Sequence, residues 1–159
     1  MDRGTRFMAL KPVPRQPKFD IEKEEWGHIL LEDNTILDLR FILVDLMITS
    51  EDLLGPQVTL GHIVGVRARS TFDLMEKMKD KPLAEVSPPL TEEAGYETVK
   101  IKKVEKPVQS SYFFEEYLLV VELSVESVVR NMRYKMPAGS PIYSIRWTFR
   151  YNVSKAMTS

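Results

Sequence analysis

From Tyr143 to Val153 the chain alternates without a break, with Tyr143, Ile145, Trp147, Phe149, Tyr151 and Val153 on one side and Ser144, Arg146, Thr148, Arg150 and Asn152 on the other, eleven residues in all. A period of two held that long is the signature of a half-buried β-strand, because successive side chains of an extended chain point to opposite faces. It ties the C-terminal part of the protein to a sheet, and the rest of the sequence reads in the same way. Trp26 to Leu31 and Ile36 to Ile48 are apolar runs joined by the turn residues Glu32-Asp33-Asn34-Thr35, a first hairpin. In the second of these runs Ile42, Leu43, Val44, Leu46 and Met47 are apolar on both faces, so its second half is expected to be buried.

Further strands are expected over Val58–Ala68, Thr98–Val104, Tyr112–Val129 and Ile142–Val153. Gly61 and Gly65 mark places for a bulge or a close backbone approach. The Tyr112–Val129 run is too long to be straight and unbroken, and Met136-Pro137-Ala138-Gly139-Ser140-Pro141 is a turn that makes the ending a hairpin. One short helix is expected near residues 71–80, where Ser70-Thr71 offers an N-cap ahead of Leu74, Met75 and Met78 at helical spacing. Residues 82–97 carry Pro82, Pro88, Pro89 and Gly95 and read as a loop. The expected architecture is mainly β: an antiparallel β-barrel or two-sheet sandwich of about six to eight strands, whose aromatic core comes mostly from the end of the chain.

At 159 residues and 43 % apolar content the chain fits one domain with a sizeable core. Residues 1–18, with Pro12, Pro14 and Pro17, read as a basic N-terminal arm that is neither helix nor central strand, and residues 19–159 as a single β-rich domain. The sequence has no cysteine, which excludes disulfides, thiolate metal sites and a cysteine nucleophile. Its longest apolar stretch, Phe41 to Ile48, is interrupted by Asp45 and is far shorter than the roughly 20 residues of a membrane helix, and no apolar run follows the N-terminus as in a secretory signal. A cytoplasmic protein without membrane contact is expected. Scarce amides beside 28 % charged residues are a balance met in proteins from hot environments.

The net charge of −1 hides an uneven distribution. Residues 1–20 carry five basic against two acidic side chains, residues 21–60 two against nine, and residues 126–159 six against one. Such segments either compensate one another in the fold or across a homo-oligomer, or leave a basic surface for nucleic acid. In the nucleic-acid reading Arg130, Arg133, Lys135, Arg146 and Arg150, with the arginines of the arm, contact phosphates. The competing reading pairs Arg146 and Arg150 across strands with Glu115, Glu116, Glu122 or Glu126. Lys100, Lys102, Lys103 and Lys106 either extend a basic surface or guard a sheet edge.

Two Gly-His-Ile triplets place His28 and His62 in similar contexts, and Asp38 or Asp45 is a conceivable third partner for a ligand or metal. Two histidines with no cysteine make a thin ligand set, and no metal or other cofactor is expected. The carboxylate pairs Glu92-Glu93 and Glu115-Glu116 are sequence neighbours, which a strand would direct to opposite faces. No phosphate loop, nucleophile elbow or zinc-protease motif is present, so the reading leans away from an enzyme, with a small-ligand barrel or an enzyme of unassigned class as a lesser alternative. The leading expectation is a non-catalytic binding or assembly module, acting through a protein partner or self-association and joined partly through the arm and the acidic segment Glu22–Glu25.

Overall fold

In the computed structural model, which describes residues 11–156, the β-strands form two antiparallel sheets packed face to face as a sandwich. The order along the chain is β1 Phe19–Glu24, β2 Gly27–Leu31, β3 Ile36–Asp52, β4 Gly55–Arg69, α1 Phe72–Met78, β5 Tyr96–Val99, β6 Ile101–Lys106, β7 Val108–Phe114, β8 Tyr117–Lys135 and β9 Pro141–Lys155. Nine strands among the described residues exceed the six to eight expected, and the sheets do not close into a barrel. Two of the additional strands arise where expected strands divide, and the third is β1, which was not anticipated from the sequence. Thr98–Val104 changes sheet at Lys100, and Tyr112–Val129 folds back at Glu115-Glu116, with Glu115 at a φ of 49°.

Each sheet is built on one long hairpin. In the first, β8 pairs with β9 along one edge, while β7 and then β5 share its other edge and β1 pairs with β7. In the second, the order is β4-β3-β2-β6. Leu37, Leu39, Phe41 and Leu43 of β3 and Leu119, Val121 and Leu123 of β8 form the centre of the apolar layer between the sheets. At roughly 25 cal/mol per Å² of apolar area, this layer is the main source of stability.

The last strand, although its alternation is as read from the sequence, is an edge. Tyr143, Trp147 and Phe149 are therefore half-buried and Tyr151 exposed, and the fully buried aromatic rings are Phe41, Tyr112 and Phe114. The second half of β3 also differs from expectation. A bulge between Leu43 and Asp45 leaves Val44 at the surface, and Ile42 and Met47 on the outer face are only half-buried, because among the described residues no second sheet covers that face. Gly61 and Gly65 are close approaches as expected, to Asp45 opposite the bulge and to the Trp26 ring. The helix is capped by the Thr71 hydroxyl, which accepts from the Leu74 N–H.

β2 leaves β3 at Leu39, so the backbone groups of β3 beyond that point need other partners. Tyr112 and Ser110 of β7 supply two. The Tyr112 hydroxyl accepts from the Leu43 N–H at 3.0 Å and donates to Glu24 at 2.9 Å, and the Ser110 hydroxyl donates to the Phe41 carbonyl at 2.9 Å. Further along, Arg15 of the arm forms a backbone bridge to Ile48 with bonds of 3.1 and 2.8 Å. Burial, with the neighbouring Glu24 carboxylate, pushes the Tyr112 phenol up to about 12, so it stays a neutral donor and acceptor. Tyr112→Phe strands the Leu43 N–H between the sheets and is expected to cost about 2 kcal/mol, read as a lower urea midpoint with an unchanged m-value.

Candidate functional site

On the outer face of the second sheet, Asp38 of β3 is flanked by His28 of β2 and Arg67 of β4, its direct neighbours in the register. Its carboxylate is fully buried and receives Arg67 Nε at 2.6 Å, Arg69 Nε at 2.8 Å, Arg69 Nη2 at 2.9 Å and His28 Nδ1 at 2.6 Å. Trp26 covers Gly65 and carries the Arg67 guanidinium 4.5 Å above its ring. Burial works to raise the Asp38 pKa, but the hydrogen bonds from Arg69, Arg67 and His28 outweigh it and hold the group at about 2. A carboxylate so strongly held, with both oxygens occupied, is a poor proton acceptor. The cluster joins three strands electrostatically, with the Arg67 and Arg69 side chains about half exposed and His28 partly exposed.

A second network ties the β2–β3 turn to the first sheet. Tyr143 donates to Asp33 at 2.6 Å and lies 2.8 Å from the Thr35 hydroxyl, while Arg130 bridges Asp33 at 2.9 Å and Glu97 at 2.8 Å. Burial, then the Asp33 carboxylate, pushes the Tyr143 phenol up to about 12.

The five basic residues considered for phosphate contact are therefore in different circumstances. Arg130 sits between two carboxylates, and Arg150 pairs with Glu122 at 2.7 Å, its direct cross-strand partner. Arg133 donates to the Glu93 carbonyl and Lys135 to the Lys79 carbonyl. Arg146 forms no hydrogen bond or ion pair among the described residues and lines a cleft of about 490 Å³ with Leu90, Tyr96 and Trp147 and the acidic Glu92 and Glu97. In the arm, Arg15 is held by Glu51 at 3.1 Å and Glu115 at 2.9 Å; Arg3 and Arg6 lie outside the described residues. Two carboxylates of the acidic segment are likewise engaged within the chain, Glu24 with Tyr112 and Arg40 and Glu25 with Lys106.

The two histidines do not meet. His28 is on the outer face with Asp38, whereas His62 is on the inner side of β4, stacked on Phe41 with ring centroids 5.1 Å apart and edge-on to Phe149 at 4.6 Å. Asp45, the other suggested partner, accepts from Gln16 instead. Among the described residues no three His, Asp or Glu side chains converge as a metal site.

Two surface features were not singled out in the sequence. The first is the end of the β3–β4 hairpin, where Leu53 and Leu54 are 104 % and 98 % exposed between Asp52 and Gly55. Asp52 accepts from the Leu54 N–H at 2.8 Å and Gly55 takes a φ of 121°, so the turn is fixed by its polar and glycine residues while the leucines project. The second is the mouth of the sandwich between β4 and the β8–β9 turn. These edges meet where Tyr151 donates to the Val58 carbonyl and where His62 packs on Phe149, then part toward Ala68 and Pro141. The opening is a mainly apolar cleft of about 450 Å³ lined by Leu37, Val66, Ala68, Met136, Ala138 and Pro141, among others. The signal for the leucines was present in Asp52-Leu53-Leu54-Gly55-Pro56, two large apolar residues inside turn chemistry.

These features define the molecule as a mainly β two-sheet sandwich with an apolar hairpin tip and an apolar mouth. Compared with protein-family models, curated proteins and solved structures, the chain matches none. Among the described residues no helix is long and apolar enough to cross a membrane.

Proposed function

We propose that the protein is a non-catalytic assembly module that associates with further copies of itself, and that Leu53 and Leu54 are its principal contact. The observation that carries this reading is the complete exposure of two adjacent leucines at the end of a hairpin. Neither contributes to the fold, and each gains about 2 kcal/mol when taken out of water into an apolar pocket. Dispersed single apolar residues on a surface are ordinary; a paired, projecting tip is a contact point. The reading moves assembly away from the arm and the Glu22–Glu25 segment, where Lys11, Arg15, Lys23, Glu24 and Glu25 are engaged within the chain. Engagement of Arg130 and Arg150 by carboxylates disfavours a continuous phosphate-binding strip.

Static light scattering of the intact chain across a concentration series tests the reading. The expected mass rises above that of the monomer with concentration, and Leu53→Asp with Leu54→Asp returns it to the monomer while leaving the unfolding midpoint nearly unchanged, as for other fully exposed positions. A wild-type chain that stays monomeric at its highest attainable concentration removes the proposal.

A further inference from the structure

We infer that the Leu53–Leu54 tip of one copy seats in the mouth between β4 and the β8–β9 turn of the next copy, so that assembly runs head to tail. The inference rests on the assembly reading and adds its acceptor and its symmetry. Three observations carry it. Among the described residues the tip has no apolar partner, and the same chain presents an apolar cleft of about 450 Å³ that the described side chains leave unfilled. Donor and acceptor are far apart, because Leu37 and Ala68 at the mouth are paired at the start of the β3–β4 hairpin and the leucines are at its end. Leu53 lies sixteen residue steps beyond Leu37 along β3 and its end, which at a strand rise of about 3.3 Å per residue is roughly 50 Å. A tip cannot fold back into its own mouth over that distance, and two copies exchanging tips symmetrically must lie antiparallel with the full hairpin lengths superposed. A head-to-tail contact needs only the two ends. Third, the ends differ in charge: beside the tip Glu51, Asp52, Glu115 and Glu116 outnumber Lys11 and Arg15, whereas at the mouth Arg67 and Arg69 share the single carboxylate of Asp38 and Lys135 adjoins Met136. Opposite charges at donor and acceptor orient the encounter and oppose tip-to-tip pairing.

A contact of this kind joins different patches on the two partners, so it closes into a ring or continues as a filament according to the rotation per step. Substitution at either end alone must therefore stop growth, while each singly blocked chain keeps one working end.

Two variants test this. Leu53→Asp with Leu54→Asp removes the tip, and Ala138→Glu places a charge in the exposed wall of the mouth without touching the core. Each alone is expected to be monomeric by light scattering, and an equimolar mixture is expected to form 1:1 dimers and nothing larger. Circular dichroism and the unfolding midpoint of each variant establish that it is folded. If wild-type chains assemble and the tip variant does not, but Ala138→Glu assembles as wild type does or the mixture stays monomeric, the head-to-tail contact is wrong while assembly through the tip stands. If wild-type chains never assemble, both readings fail.

Discussion

Asp38→Asn is expected to lower the unfolding free energy by about 3 kcal/mol at neutral pH, one of the two largest losses anticipated for a single substitution in this protein. The side chain keeps its size, so no cavity contributes. The loss comes from removing a fully buried charge that four donors contact within 2.9 Å, two of them from a guanidinium that binds both oxygens. Asn offers one acceptor oxygen and turns an NH2 group toward cationic neighbours. The partners Arg67 and Arg69 are each about half exposed and regain water, which keeps the loss near the lower end of the range for a broken buried pair. For a chain of this size the change corresponds to a drop of about 10 °C in the melting temperature.

The same residue fixes a pH dependence. The folded-state pKa of Asp38 is depressed from 3.8 to about 2, so its contribution is fully present above about pH 4 and is lost as the pH falls through about 2. The shift is worth about 2 kcal/mol. Urea titrations at a series of acidic pH values are expected to show that limb in the wild type and to show it reduced by this amount in Asp38→Asn. An unaltered acid limb would mean that the carboxylate is not held as the geometry indicates.

The parts of this fold that the sequence displays are those in which local pattern and tertiary environment agree. Alternation in Tyr143–Val153 follows directly from the pleat, and Thr71 caps the helix where a hydroxyl was available to do so. Burial along β9 was not legible, because alternation reports that one side is apolar without reporting how much of that side a second sheet covers, and an edge strand is covered only in part. The same limit applies to Val44. Its apolar neighbours suggested a strand buried on both faces, but a bulge, set by the pairing of Leu43 with His62 and Asp45 with Gly61, turns it outward.

The Asp38 cluster shows a different limit. Asp38 could be named as a partner for His28 by type, yet its main partners, Arg67 and Arg69, are about thirty residues away and come to it only through the register of β3 and β4. Charge totals by segment point to the acidic second quarter of the chain but not to which pairs form. The hairpin tip differs again: Leu53 and Leu54 were visible as turn residues of unsuitable type, and their significance depends on their full exposure, which only the three-dimensional arrangement supplies.

Gly27→Ala, the other large effect, is expected to cost about 3 kcal/mol although it adds a single methyl group. Gly27 begins β2 in the second sheet. Its neighbour His28 pairs with Lys106 at the end of β6, and the chain then turns through Pro107 into Val108, the first residue of β7 in the first sheet. The corner that carries the chain between sheets therefore passes directly over Gly27. A Cβ there would lie 2.5 Å from Val108 Cγ2 and 2.8 Å from both Val108 Cα and N. A flexible side chain could rotate away from the first contact, but the other two are backbone atoms of a residue that is itself buried and paired with Leu123. Relief requires the corner to shift and the β2–β6 and β7–β8 ladders to strain together. Val108→Ala separates the two causes: it removes Cγ2 and leaves the backbone where it is. In a double-mutant cycle read by urea denaturation, the coupling between Gly27→Ala and Val108→Ala is expected to recover less than half of the Gly27→Ala loss. Recovery of most of it would place the clash in the side chain and remove the claim that backbone approach at this corner demands glycine.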